Sequence, residues 1–181
     1  MQNDEVTTPR KRKIPESPPV LIFMGVAGSG KTTVAKLYAK RTGAEFIEGD
    51  DFHPPRNIAK MAAGIPLTDA DRKRWLMALQ RVIVRALAKG NHVALTCSAL
   101  KAKYRRVLVA NNPRVKFVHL TGSRTLISRR LKKRRGHFMP PSLLASQFLI
   151  LESPEDALVF NCRQTPAQIV SGLIRELKVV D

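Results

Sequence analysis

Acids and cysteines are scarce in this sequence, and long apolar runs are absent. Each shortage excludes something. The two cysteines, Cys97 and Cys162, lie in apolar surroundings. They offer no disulfide framework, so the expected compartment is a reducing cytoplasm. No run approaches the roughly 20 apolar residues that a membrane-spanning helix needs. The first nineteen residues lack the apolar segment of a signal peptide. Acids number 14 against 32 lysines and arginines, for a net charge of +18. Between Lys101 and Arg135 there are thirteen basic residues and no acid. Such a block attracts anions, whether phosphates, nucleic acid or a membrane surface, or else it is a solvated helix face. Only Tyr104 and Phe117 interrupt it with aromatic rings. A nucleic-acid-binding protein would therefore have few platforms on which to stack bases.

What is present fits one compact domain. The chain has 181 residues, 44% of them apolar, enough for a core but too short for two full α/β domains. Residues 1–18 read as a disordered tail with Pro9, Pro15, Pro18 and the basic run Arg10-Lys11-Arg12-Lys13. That run reads as a solvated tail or a weak nuclear-localisation patch. Residues 19–181 form the domain.

Short apolar runs alternate with helical patterns through that domain. Val20 to Met24 suits a buried parallel strand, and Lys31 to Arg41 a helix. Further strands are expected at Ala44–Ile47, His92–Thr96, Val115–Leu120 and Ala157–Phe160. Helices are expected from Pro55 through Met61, to about Lys89 behind a cap at Thr68 or Asp69, and over Lys101–Ala110. Three more are expected at Thr125–Lys133, Pro141–Leu151 and Pro166–Lys178. The alternation predicts an α/β fold, a parallel sheet with helices on both faces. Ligands then bind beyond the carboxyl ends of the strands.

The segment after the first strand is the most informative. Gly25-Val26-Ala27-Gly28-Ser29-Gly30-Lys31-Thr32 matches G-x-x-x-x-G-K-[ST] in full, with Thr33 continuing into the helix. Glycines let such a loop curl until its backbone N–H groups face phosphate oxygens, and the helix N-terminus adds positive potential. Lys31 would reach the β- and γ-phosphates of ATP, and Thr32 would place its hydroxyl on Mg²⁺. A guanine-specificity motif is absent, and no acid directly follows the third strand. Metal would then be held by Thr32, nucleotide oxygens, water and Asp50. Asp50 ends the second strand, where a carboxylate either accepts the proton of an attacking hydroxyl or closes an Asx turn. His53 either hydrogen-bonds a polyol or packs on Pro54. Arg130 and Arg134 precede Gly136-His137, so a Gly-hinged lid would bring guanidinium groups over the transferring phosphoryl. The plainer reading of these cations is a basic helix end that complements the macrodipole.

These stretches resemble the gluconokinases, P-loop small-molecule kinases related to the shikimate and adenylate kinases. The resemblance rests on Met24 to Lys31, Phe46 to Met61, Gly64 to Arg72 with Trp75-Leu76, Cys97 to Lys101 with Tyr104-Arg105, and Arg134 to Phe148. It covers the chain from about residue 20 to its end. It implies transfer of the ATP γ-phosphate to the 6-hydroxyl of D-gluconate. It also implies a five-stranded sheet in the order 2-3-1-4-5, a mobile lid and a homodimer. By position, the P-loop binds ATP, Asp50 is the base, and Arg130 and Arg134 belong to the lid. His53, Arg56, Lys60, Ser98, Lys101 and His137 would line the sugar-acid pocket. Ala27 stands where the family often has Ser, and Asn161-Cys162-Arg163 replace a more acidic stretch.

Overall fold

The computed structural model describes residues 20–109, 111–133 and 140–177. The expected tail, residues 1–18, lies outside them, as do Arg134 and His137 of the expected lid. In chain order the elements are β1 (Val20–Met24), α1 (Lys31–Thr42), β2 (Glu45–Ile47), a 3-10 turn (Gly49–Phe52), α2 (Pro55–Ala62), α3 (Asp69–Lys89) and β3 (Val93–Thr96). Then come α4 (Ala102–Val109), β4 (Val115–Thr121), α5 (Arg124–Lys133), a 3-10 turn (Pro141–Leu143), α6 (Leu144–Ile150), β5 (Ala157–Asn161) and α7 (Pro166–Leu177). Boundaries fall within one or two residues of the sequence reading for most elements. The helix expected over Pro141–Leu151 differs: it opens as a 3-10 turn before becoming α-helical.

All five strands are parallel, in the order β2-β3-β1-β4-β5. β1 is central because every one of its side chains is apolar and fully buried. Strand alternation divides those side chains between two layers. Val20, Ile22 and Met24 pack with Trp75, Leu79 and Ile83 of α3 and Tyr104 and Leu108 of α4. Leu21 and Phe23 pack with Val34 and Tyr38 of α1 and with Ile169, Val170 and Leu173 of α7. Each buried side chain contributes about 2 kcal/mol, so a one-residue slip of β1 would exchange both layers at once. A third cluster, including Val26, Ala27, Ile127, Leu131, Leu144 and Cys162, packs the start of the β1–α1 loop against α5 and α6. No described helix is long and apolar enough to cross a membrane.

The start of α3 is fixed by its own residues. Thr68 is its cap: Thr68 Oγ1 accepts from the Asp71 N–H at 3.2 Å and Asp71 Oδ2 accepts from the Thr68 N–H at 2.9 Å. This reciprocal pair satisfies two helix-end donors. Trp75, one turn further on, faces the carboxyl end of the sheet and is 1% exposed.

Candidate active site

The strand order reverses at β1, between β3 and β4, and the Gly25–Lys31 loop leaves β1 at that crevice. Gly25, Gly28 and Gly30 have φ of +134°, +80° and +98°, values that side chains with a Cβ rarely adopt. The turn also needs room: a Cβ on Gly25 would lie 2.6 Å from the Leu120 carbonyl oxygen. Lys31 Nζ donates to the Val26 carbonyl at 3.1 Å, folding back over the loop that precedes it. Ala27 N–H donates to Gln147 Oε1 of α6 at 2.7 Å, which ties the loop to the helix beside it. The Ser29 hydroxyl is buried in this wall with no partner among the described residues.

A cleft of about 660 Å³ opens over the loop, in the usual range for small-ligand sites. Its walls bring together residues far apart in sequence. From the loop and α1 come Ala27 through Val34; from the β2 side come Glu48, Asp50, Asp51 and His53; from the end of β3 comes Ser98, and from α5 Arg130. The arginine of α5 crosses the loop: a Cβ on Gly30 would lie 4.0 Å from Arg130 Nη1, while Nη2 donates to the Cys162 carbonyl at 2.6 Å. Cys162, Gln164, Pro166 and Ile169 form the wall near β5 and α7.

Asp50 and His53, singled out from the sequence, both line this cleft, together with three neighbours that sequence reasoning did not single out. Glu48 accepts the Thr32 hydroxyl on Oε2 at 2.8 Å and the Thr96 hydroxyl on its other oxygen. Arg72 lines the cleft from α3 and donates to the Leu67 and Thr68 carbonyls. Trp75 lines it as well. The signal for Glu48 was available, since it directly follows an apolar strand two residues ahead of Asp50. Arg72 and Trp75 lie on one long helix, and its pattern gave no sign that either would reach the cleft.

Three predicted pocket residues are not brought into the cleft wall. Arg56 is on the exposed face of α2. Lys60 pairs at 3.0 Å with Asp71, and Thr68 and Lys60 together hold the Asp71 carboxyl down to about 2. Lys101 pairs with Asp69 at 2.9 Å and lines a smaller depression of about 270 Å³ beside the cleft. Both lysines thus meet acids of the first turn of α3 before they meet the cleft.

The turn holding Asp50 is tightly seated. Gly49 N–H donates to Thr96 Oγ1 at 3.0 Å, and a Cβ on Gly49 would fall 1.8 Å from the Thr96 carbonyl oxygen. That atom is backbone, so it cannot swing aside. Gly49→Ala is expected to destabilise the protein by about 3 kcal/mol, the upper end of usual overpacking. Its denaturation midpoint tests this, and an unchanged midpoint contradicts the close approach.

His53 stacks on Trp75, with ring centroids 4.1 Å apart and planes at 18°. Burial, and then the charge of Arg72, push its pKa from 6.5 down to about 4, so it is neutral at working pH. Above pH 6.5 neither the folded nor the unfolded chain protonates this ring. As pH falls from 6.5 toward 4, the unfolded chain takes up a proton that the folded one refuses, and stability drops. Between pH 7 and pH 5 this loss amounts to about 2 kcal/mol. His92 and His119 are lowered by burial too and act in the same sense. The diagnostic is therefore a difference between two proteins. His53→Gln is expected to shrink the pH 7-to-5 loss by about 2 kcal/mol in urea denaturation, and equal losses contradict the assignment.

Known proteins share this geometry and much of the sequence that builds it. A family model described as an AAA domain matches residues 20–147. The gluconokinase of Gluconobacter oxydans (strain 621H) is 43% identical over 167 residues, spanning 91% of this chain and 94% of that protein. The crystal structure of a sugar kinase from Janibacter sp. HTCC2649 superposes with a TM-score of 0.84 at 45% identity, covering 90% of this chain and 96% of that one. That of a gluconokinase from Sinorhizobium meliloti 1021 superposes with a TM-score of 0.79 at 41% identity, covering 90% and 93%.

Proposed function

The chain belongs to the gluconokinase family of ATP-dependent P-loop kinases, and on that premise we propose how its cleft transfers the γ-phosphate of ATP to the 6-hydroxyl of D-gluconate. One observation carries the reading: Lys31, Asp50 and Arg130 line the same cleft from three different elements. Loop N–H groups and Lys31 would receive the β- and γ-phosphates. Asp50 would take the hydroxyl proton as the acceptor oxygen bonds to the γ-phosphorus and the bond to the ADP oxygen breaks. Arg130 would offset charge on the phosphoryl oxygens as that bond breaks.

Mg²⁺ suits the groups present. Thr32, Glu48 and Asp50 offer only oxygen atoms, as a hard cation prefers, and Glu48 already holds the Thr32 hydroxyl in place. Among the described residues no group of three or more His, Cys, Asp or Glu side chains could cage a metal alone. The ion would be shared with the nucleotide, where it neutralises phosphate charge.

On the acceptor side, neutral His53 and Ser98 would meet hydroxyls. Arg72, which lines the cleft beside His53, would meet the carboxylate in place of Lys60 and Lys101. The test is ADP release with Mg-ATP over a panel of gluconate, other sugar acids, shikimate and nucleosides. Turnover is expected with gluconate alone, and comparable turnover of shikimate or a nucleoside overturns the acceptor assignment. Arg72→Met then tests the carboxylate partner, with an expected rise in the KM for gluconate and an unchanged KM for ATP.

A further inference from the structure

Trp75 is the single tryptophan of the sequence. It belongs to the core cluster under β1 and also lines the cleft. Its indole touches the segment after β2 at two points. Nε1 donates to the Gly49 carbonyl at 2.7 Å, and the ring lies parallel beneath His53. Between those points lies Asp50. The His53 N–H closes the turn by donating to the Asp50 carbonyl at 3.2 Å. Leu or Phe would fill the same volume without a donor, whereas the indole adds an N–H that the Gly49 carbonyl accepts and a ring on which His53 stacks. His53 Nδ1, in a residue 8% exposed, has no partner among the described residues. A buried polar atom in a cleft wall needs such a partner, and an acceptor hydroxyl would supply it.

We propose that Trp75 is a positioning residue, whose N–H and ring hold the Asp50 turn and the His53 imidazole as one unit so that a polyol meets both at once. The proposal rests on the reading of Asp50 and His53 as the acceptor side, and its tests separate the two.

The indole itself reports acceptor binding. Titrating D-gluconate into the full-length protein with MgADP present is expected to give a saturable change in tryptophan emission, with none for shikimate. A silent titration overturns the proposal. Trp75→Phe keeps a ring under His53 and removes the N–H. It is expected to lower kcat about tenfold, with the KM for gluconate within about twofold and the KM for ATP unchanged. Trp75→Leu removes the ring as well and is expected to raise the KM for gluconate about tenfold in addition. If packing alone mattered, both variants would melt earlier while the kinetic constants of the folded fraction stayed those of the parent, and that result overturns the proposal. Full turnover in Asp50→Asn would sink the base assignment and leave the emission change intact. A silent emission with an impaired Asp50→Asn would sink only the role of Trp75.

Discussion

Lys31→Ala is expected to lower kcat by about 10²–10³-fold, while the protein stays folded. The lysine opens α1 immediately after the glycine loop. In the folded chain its ammonium rests on the Val26 carbonyl, within the loop that would cradle phosphate. Removing one preorganised donor from developing oxyanion charge in a cleft costs about 3–4 kcal/mol of transition-state stabilisation. A phosphoryl transfer depends almost wholly on such stabilisation. The fold loses little by comparison. Alanine is the best helix former, Lys31 is half-buried at the first position of α1, and a hydrogen bond such as the one to Val26 contributes about 1 kcal/mol. Coupled ADP release alongside thermal melting distinguishes the two effects. Turnover within tenfold of the parent protein would refute the loop as the phosphate site.

Asp50→Asn is expected to cut kcat by about 10²–10⁴-fold and to leave ATP binding nearly intact. The substitution preserves shape, so the 3-10 turn and its anchorage through Gly49 to Thr96 and Trp75 persist. What it removes is the capacity to take a proton from the attacking hydroxyl. Because Asp50 faces the cleft across from the P-loop, the loss should appear in the chemical step and spare nucleotide affinity. Measuring ATP affinity by equilibrium binding and kcat by ADP release separates these. Equal losses in both would reassign Asp50 to metal holding or to structure.

The two substitutions probe residues whose proposed roles rest on features that the sequence already shows. The phosphate loop is eight contiguous residues with its own geometry. Its glycines, lysine and threonine act through backbone shape and a helix N-terminus, both local properties. The strand-helix alternation was equally legible, since period 2 and period 3.6 are written within short windows. Asp50 was legible from its place just after an apolar strand, although it sits in the 3-10 turn Gly49–Phe52, three residues past the end of β2 rather than at its last position. The departure at Pro141–Leu143 was local too, and the apolar spacing there did not separate a 3-10 opening from an α-helical one.

The cationic residues were another matter. Lys60 and Lys101 were assigned to the sugar-acid pocket by their position in the family resemblance, yet Asp71 and Asp69 hold them. Those partners lie 11 and 32 residues away in sequence, and only the docking of α2 and α4 against the start of α3 brings them together. Glu48 gained its meaning in the same way, through a hydroxyl 16 residues earlier and another 48 residues later. Trp75 shares helical spacing with Leu76, Leu79 and Ile83 and is core as that spacing implies, but the spacing could not say that its edge would also face a cleft.

From sequence alone came the fold class, the phosphate loop and the placing of a carboxylate opposite it. These depend on backbone conformations and periodicities that a few neighbouring residues dictate. Tertiary structure decided which charges cancel one another and which remain for a substrate. It also decided that Glu48 braces Thr32, and that Trp75 contacts both the Asp50 turn and an imidazole. Side-chain charges and hydrogen-bonding groups act over a few ångströms in space, and distance along the chain does not determine which of them meet.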